Sequence, residues 1–412
     1  MGEQDRVAVI GAGVIGCAIA CALAREGRGV LLADPEEPGV GGASFGNVGH
    51  IAAELIEPLP SVGLLFGFWR ELFAFGGPLD IPWRTLPRVA LWAPRFAAAA
   101  FRRRANTQHL APLVRPASAA WERLLRELGT PGLLRRNGHY QVWLGATAGR
   151  RARAEACRMR RLGVATDPVG AELLRAVASA AGDETIAGLR FPDSAHVLDP
   201  RAVCEVLARA AVERGTTLQR ARVRSLAPRG DQIEMLSDAG VFTAATVIVC
   251  AGAWSGPLLA PFGLRAPLEA VRGYHIELPG HAALVDAPLV YMDRSIVVTP
   301  MAARLRASSY MEFARLEAAP DPRKPARLRA NLRRLGYRCE GESCAWVGPR
   351  PVLPDYLPGI GRAPGAARLF YAIGHQHLGL TLAPVTADLM VALVCGREPV
   401  HDVTPFDLRR FN

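Results

Sequence analysis

The chain has 412 residues, half of them hydrophobic, and a formal net charge of +11. That is enough apolar material for one large domain or two interleaved ones with a sizeable core. No uninterrupted apolar run reaches the ~20 residues that a spanning helix needs, which excludes an integral helical membrane protein.

In chain order, Arg6-Val7-Ala8-Val9-Ile10 predicts a short strand. Gly11-Ala12-Gly13-Val14-Ile15-Gly16 follows at once and opens a helix-compatible stretch, Cys17 to Glu26. A second apolar run, Gly29 to Ala33, ends on Asp34. Strand, glycine turn, helix, strand and acid at about 20 residues make a dinucleotide-binding unit. Gly11 permits the tight turn, Gly13 lets the backbone approach a pyrophosphate, and Gly16 lets the helix pack on the strand. Val14 and Ile15 belong to the helix N-terminus, whose free N–H groups and dipole attract phosphate. Asp34 is placed to accept hydrogen bonds from ribose hydroxyls. The competing reading is an ordinary glycine turn in an α/β protein.

A second glycine-rich segment, Gly41 to His50, comes directly after the acid. A nicotinamide-only domain has no need of one there. A flavin dinucleotide does, because the chain runs back along the pyrophosphate and ribityl chain. Ser44 and Asn47 are expected to hydrogen-bond that polar backbone.

From Leu64 to Arg104, aromatic and apolar residues interleave with Arg70, Arg84, Arg88 and Arg95, ending in Arg102-Arg103-Arg104. This composition suits an interfacial membrane segment. Helices packed over a substrate domain are the alternative, and Pro82, Pro87 and Pro94 break any single long helix. Residues 111–130 read as one helix with Leu113, Trp121, Leu124, Leu125 and Leu128 on a shared face. His139 to Leu144 alternates as a strand, and Arg150 to Leu162 is a very basic helix. Asp199 caps a helix from Pro200 to Arg214, with proline just inside. Strands are expected at Thr217–Leu226, Gln232–Leu236 and Phe242–Ala251. The last ends in Gly252-Ala253-Trp254-Ser255, a glycine turn against the nucleotide. Residues 268–340 are strand-rich again.

The C-terminal block carries the second strong signal. Trp346-Val347-Gly348-Pro349-Arg350-Pro351-Val352 precedes a strand at Leu369–Ile373 and then Gly374-His375-Gln376-His377-Leu378-Gly379-Leu380-Thr381. A glycine loop opening a helix is an anion site. Arg350 offers a planar fork that matches a carboxylate bidentately, against the alternative of a surface ion pair.

These segments together resemble the FAD-dependent D-amino-acid oxidase superfamily, most closely its bacterial D-amino-acid dehydrogenase branch. The resemblance covers nearly the whole chain and is weakest between 105 and 195. It implies an α/β fold with a Rossmann-like FAD-binding domain (1–60, 196–265 and 345–412). A discontinuous α+β substrate domain on an antiparallel sheet (61–195 and 266–344) completes it. It implies hydride transfer from Cα of a D-amino or D-imino acid to the flavin, with Arg350 against the substrate carboxylate and His50, Tyr274 and His377 as polar neighbours. Gly374, Leu378, Gly379 and Thr381 would face the flavin, Gly252 the nucleotide, and the backbone of Val223 the adenine. The absence of a cysteine after Arg350 implies non-covalent FAD. The Gly374–Thr381 loop looks most like the D-hydroxyproline and D-proline dehydrogenases. A glycine or sarcosine oxidase, or a flavoprotein subunit of a larger amine dehydrogenase, are the alternatives.

Three further expectations concern setting. The eight cysteines, Cys339 and Cys344 among them, form no CxxC pair and read as reduced thiols, with no zinc site. The first strand begins within ten residues of Met1, which leaves no room for a secretory signal and points to the cytoplasm. Nearly all positive charge is arginine, which reads either as attraction to the inner face of an anionic membrane or as compositional bias. No nucleic-acid motif appears. Lys324, the one lysine, sits in what reads as a solvent loop, Asp321 to Pro325. With no lysine beside the flavin, a dehydrogenase passing electrons to a quinone or carrier is favoured over an oxidase.

Overall fold

The structure, a computed structural model, describes residues 6–182, 185–280, 283–339 and 345–412. Cys344, read from the sequence as a reduced thiol, lies outside the described residues.

A six-stranded sheet forms the first half of the molecule. Its inner strands are β1 (Val7–Ile10) and β2 (Val30–Asp34), paired in parallel with Val7 opposite Val30. Thr217–Arg220 extends the sheet beyond β2, and Thr246–Val249, Leu369–Ile373 and Gly359–Arg362 extend it beyond β1. All these pairs are parallel except the last hairpin, Gly359–Arg362 with Leu369–Ile373. β1, β2, Thr246–Val249 and Leu369–Ile373 are buried and almost continuously apolar, as a parallel sheet covered on both faces requires. Helix α1 (Val14–Arg25) packs on one face with the helices Pro200–Val212 and Gly379–Val394. Asp199 caps the first of these two as expected, accepting from the backbone N–H of Arg201 at 2.9 Å. A three-stranded meander, Val223–Arg229, Gln232–Ser237 and Gly240–Ala244, covers the other face. The expected strand Thr217–Leu226 is therefore two strands in two sheets, and Phe242–Ala251 is likewise divided.

The second half is built on a nine-stranded, mostly antiparallel sheet. Towards one edge of it Glu269–Pro279 lies between Arg304–Phe313 and Ala345–Val352. The strand Ala345–Val352, expected to open the last segment of the nucleotide-binding half, belongs to this sheet instead. It carries Arg350 across from Val271. His139–Leu144 forms as expected and pairs with Ile186–Phe191. The expected helix over 111–130 is two helices, Arg103–Val114 and Ala117–Glu127, because Pro116 has no N–H with which to continue the first. Among the described residues, no helix is long and apolar enough to cross a membrane.

Lys324 is not in a solvent loop. It lies in the helix Arg323–Arg334 and is fully buried. Its ammonium donates to Asp80 at 2.6 Å, Glu312 at 2.8 Å and Asp321 at 2.9 Å. Glu312 also accepts from Arg272 Nε at 2.7 Å. Buried charge is tolerated only when paired in this way. The cluster joins the helix, the sheet and the segment containing Asp80. Lys324→Ala leaves three carboxylates facing one another and is expected to cost about 3–5 kcal/mol. Equilibrium denaturation in urea measures this, and an unchanged midpoint rules out a stabilising role for the cluster.

Candidate active site

The two glycine loops build a cradle at the carboxyl ends of the parallel strands. Gly11 has φ +108°, and a Cβ there would strike the carbonyl of Cys250 in the neighbouring turn. A Cβ on Gly16 would strike the carbonyl of Gly11. Helix α1 starts at Val14 after Gly13, which supplies no side-chain cap. Among the described residues nothing accepts from the N–H groups of Ile15 and Gly16, as expected in a first helical turn. Gly252, at φ +53°, turns the chain just after Thr246–Val249. Asp34 ends β2; its carboxylate accepts from Ala12 N–H at 2.7 Å and from Glu36 N–H at 2.9 Å. Burial raises its pKa against those bonds. Ala221 N–H donates to the Asp34 carbonyl, which sets Val223 near the end of β2.

Ser44 and Asn47 direct their acceptors into the protein. Ser44 Oγ accepts from Val14 N–H at 3.0 Å, and Asn47 Oδ1 accepts from Gly49 N–H at 2.8 Å. The first bond fixes the second glycine loop against α1, and the second shapes the loop itself. At the far end, Gly374 has φ +66° and abuts Leu353. Leu378 N–H bonds the His375 carbonyl, and Gly379 then opens a helix with no side-chain cap. Thr381 Oγ1 accepts from Ala52 N–H at 3.1 Å, so its hydroxyl ties that helix to the loop after His50.

A cavity of about 810 Å³ opens beside this cradle. Its wall includes Arg350, His50, His377, Gln376 and Tyr356, and its far side is apolar, with Ile81, Val89, Trp92 and Phe96. Arg350 lies against Gly273, where any Cβ would meet its guanidinium. Its Nη1 donates to the carbonyl of Tyr310 at 3.1 Å. Among the described residues no carboxylate pairs with it, whereas Arg272, Arg306 and Arg410 each bind one. Burial lowers the Arg350 pKa from its ordinary value. A half-buried guanidinium on a cavity wall without a counter-ion has donors free for an anion. The exposed His377 ring opens onto the same cavity.

Backbone strain is concentrated here. Among the described residues, four non-glycines have positive φ: Ser295, Tyr310, Tyr356 and Gln376. All four line this cavity. The Tyr310 hydroxyl and both polar atoms of the Gln376 amide are buried without partners. Such strain persists only where surrounding structure over-determines it, and here it gathers around the cavity. The sequence picks out none of the four as a site residue, because it carries no local signal for positive φ in serine, tyrosine or glutamine.

Tyr274, expected beside the substrate, does not line the cavity. Its hydroxyl donates to Glu312 at 2.8 Å and accepts from Asp321 N–H at 3.0 Å. Strand alternation explains the difference: Val271 and Gly273 face the cavity, and Arg272 and Tyr274 face the buried charge cluster.

Two uncapped helix starts, a glycine turn closed to any Cβ and an acid at the end of β2 fit a dinucleotide whose far end reaches the cavity. The fold and site thus define a flavin-dinucleotide oxidoreductase whose cavity wall carries a guanidinium with no carboxylate partner among the described residues. The model of the FAD dependent oxidoreductase family, DAO, matches residues 6–393, and the chain belongs to that family. It is 30% identical, over the full length of both chains, to a D-amino-acid oxidase of Bradyrhizobium diazoefficiens. It is also 30% identical to D-amino acid dehydrogenase 2 of Ralstonia nicotianae, over 98% of this chain and 100% of that one. Glycine oxidase from Geobacillus kaustophilus shares the fold with a TM-score of 0.78 and 21% identity, covering 98% and 99% of the two chains. The protein is accordingly an FAD-dependent oxidoreductase.

Gly16→Ala forces α1 away from the Gly11 turn. The purified variant is expected to lose most of its flavin absorbance relative to protein, and full retention of flavin removes the close-packing argument.

Proposed function

We propose that this protein is a dehydrogenase of D-amino acids, with FAD held non-covalently and Arg350 binding the substrate carboxylate. The carrying observation is the Arg350 guanidinium, which faces the cavity with no carboxylate partner among the described residues. The names of the two relatives support the D-configuration and the oxidation of an amino acid. The apolar far side favours an apolar side chain, and D-proline or cis-4-hydroxy-D-proline, giving a Δ1-pyrroline carboxylate, is the favoured substrate. Bound FAD supplies the acceptor for the hydride that leaves Cα. The protein's part is to hold the carboxylate at Arg350 and to exclude water with Val89, Trp92 and Phe96. No described cysteine lines the cavity, in keeping with non-covalent FAD. No lysine lines it either, in keeping with an electron acceptor such as a quinone or carrier.

Anaerobic bleaching by a panel of D- and L-amino acids tests the reading. A D-imino acid is expected to bleach the flavin, with slow recovery in air. Glycine or sarcosine bleaching with fast recovery establishes an oxidase instead, and no bleaching by any member supports a scaffold subunit. Arg350→Ala is expected to raise KM on the order of 10²–10³-fold, the scale of truncating one partner of a buried charge pair, with the flavin spectrum intact. Unchanged kinetics sink the clamp.

A peripheral membrane contact at the inner face is a second reading, carried by the segment that roofs the cavity. Phe66, Trp83, Leu91 and Phe101 are each more than 70% exposed. Arg70 lies 4.9 Å over Trp69 and Arg84 5.2 Å over Trp83. Rings at headgroup level with arginines on phosphates suit an anionic surface. Salt-sensitive pelleting with anionic vesicles is expected, and a protein that stays in the supernatant at low salt excludes the contact.

A further inference from the structure

Behind His50 lies a buried polar cluster that the carboxylate clamp does not use. Glu54 is 3% exposed, and His139 and His196 are fully buried. His50 and His196 are directly opposite in a small sheet with Leu134–Arg135. His50 Nε2 stands 3.7 Å from Glu54 Oε1, and His139 Nδ1 stands 3.6 Å from Glu54 Oε2. Ser194 Oγ donates to Glu54 Oε2 at 2.5 Å. The His139 ring stacks on Phe191, with centroids 4.6 Å apart. His50 Nε2 and both ring nitrogens of His139 and His196 lack hydrogen-bond partners. Leaving so many buried polar atoms unpaired is costly, which calls for a use beyond packing.

The electrostatics select one group. No lysine or arginine among the described residues pairs with Glu54; the groups facing it are His50, His139 and Ser194. Burial pushes its carboxyl up to about 7, with the Ser194 bond pulling the other way. Burial holds His50 down to about 3, aided by His196 and His377, and His139 well below its usual range, aided by His50. His196 is held down to about 4 by burial, with Asp286 and Arg135 acting on it in opposite senses. Around neutrality the imidazoles are therefore neutral, and Glu54 is the member that changes charge.

We propose that His50 and Glu54 form the proton exit of the reaction: His50, on the cavity wall, passes a proton from the substrate ammonium to the Glu54 carboxylate. The inference rests on the amino-acid reading above. An amino acid in its ammonium form becomes an iminium by losing a hydride, which carries two electrons to FAD, and one proton. That N–H proton goes to a ring nitrogen of His50, whose other ring nitrogen releases a proton to Glu54. The product is an iminium carboxylate, reduced flavin and a protonated Glu54. The 3.7 Å gap between His50 and Glu54 is of the kind that tightens when substrate is bound. His139 and Ser194 are positioning residues for the carboxyl.

The test uses the full-length, FAD-loaded protein, with flavin bleaching followed by anaerobic stopped flow at saturating D-proline or whichever D-amino acid bleaches best. The wild-type rate is expected to rise with pH through one ionisation near neutrality, because only the carboxylate accepts. Glu54→Gln is expected to abolish that rise and to slow bleaching on the order of 10²–10⁴-fold, the usual share of general base catalysis. Ser194→Ala keeps the carboxyl, removes the bond that lowers its pKa, and is expected to move the midpoint upward. It also serves if Glu54→Gln does not fold. Infrared difference spectra on substrate reduction are expected to gain a carboxylic-acid band that Glu54→Gln lacks. A pH profile that neither variant moves, or a missing band, overturns the inference while bleaching itself upholds the amino-acid reading. A wild-type flavin that no amino acid bleaches overturns that reading and this inference with it.

Discussion

The site depends on one close approach, that of the Arg350 guanidinium to Gly273. Two neighbouring strands of an antiparallel sheet carry these residues, and the absence of a side chain at Gly273 makes the room. The guanidinium can then lie against the sheet and face the cavity rather than turning to solvent for a counter-ion. On the other face of the same strand, Arg272 and Tyr274 are held by Glu312, which also binds Lys324. One face of the sheet thus satisfies its charges internally, and on the other the Arg350 guanidinium has no carboxylate partner among the described residues. The contrast is informative because burying a cation costs heavily unless something compensates it.

The nucleotide-binding unit was legible because its signals are local. Turn, helix start and strand end are each set by a few adjacent residues, so the glycines and Asp34 could be placed from spacing alone. The helix cap at Asp199 was legible for the same reason. The motif around Arg350 pointed to a cavity position, which the structure gives it, although the strand that carries it belongs to a different sheet from the one expected. The failures share a different cause. Tyr274 has the chemistry of a substrate neighbour, but strand parity turns it to the opposite face, since a shift of one residue along a strand reverses the face. Lys324 sits between prolines and charges that look solvated, and only the folded chain brings Asp80 and Glu312 to it.

Tyr310, Tyr356 and Gln376 show the deeper limit. Positive φ costs free energy for a residue with a Cβ and persists only where surrounding structure over-determines it. Such positions are products of the tertiary fold and leave no local trace. That all of the strained non-glycine positions described line one cavity says that the surrounding fold imposes strain where the cavity is shaped. Glu54 belongs with them: its neighbours His139 and Ser194 lie far away in sequence, so its burial could not be read from the segment Ile51 to Pro58.

The proposed clamp and the proposed proton exit meet at the same cavity, through Arg350 and His50, and would ask opposite things of it. In the proposed clamp Arg350 would hold a carboxylate more firmly in low dielectric, and the burial that provides it favours the neutral forms of His50 and Glu54. A permanently charged base on the cavity wall would bind Arg350 and close the anion site. A carboxyl poised near neutrality behind an uncharged imidazole avoids this, because His50 lines the cavity and Glu54 does not. Arginine is suited to the other role for the matching reason: it keeps its proton in an environment that strips histidine of one. On this proposal the division of labour between the two groups would follow from their intrinsic proton affinities.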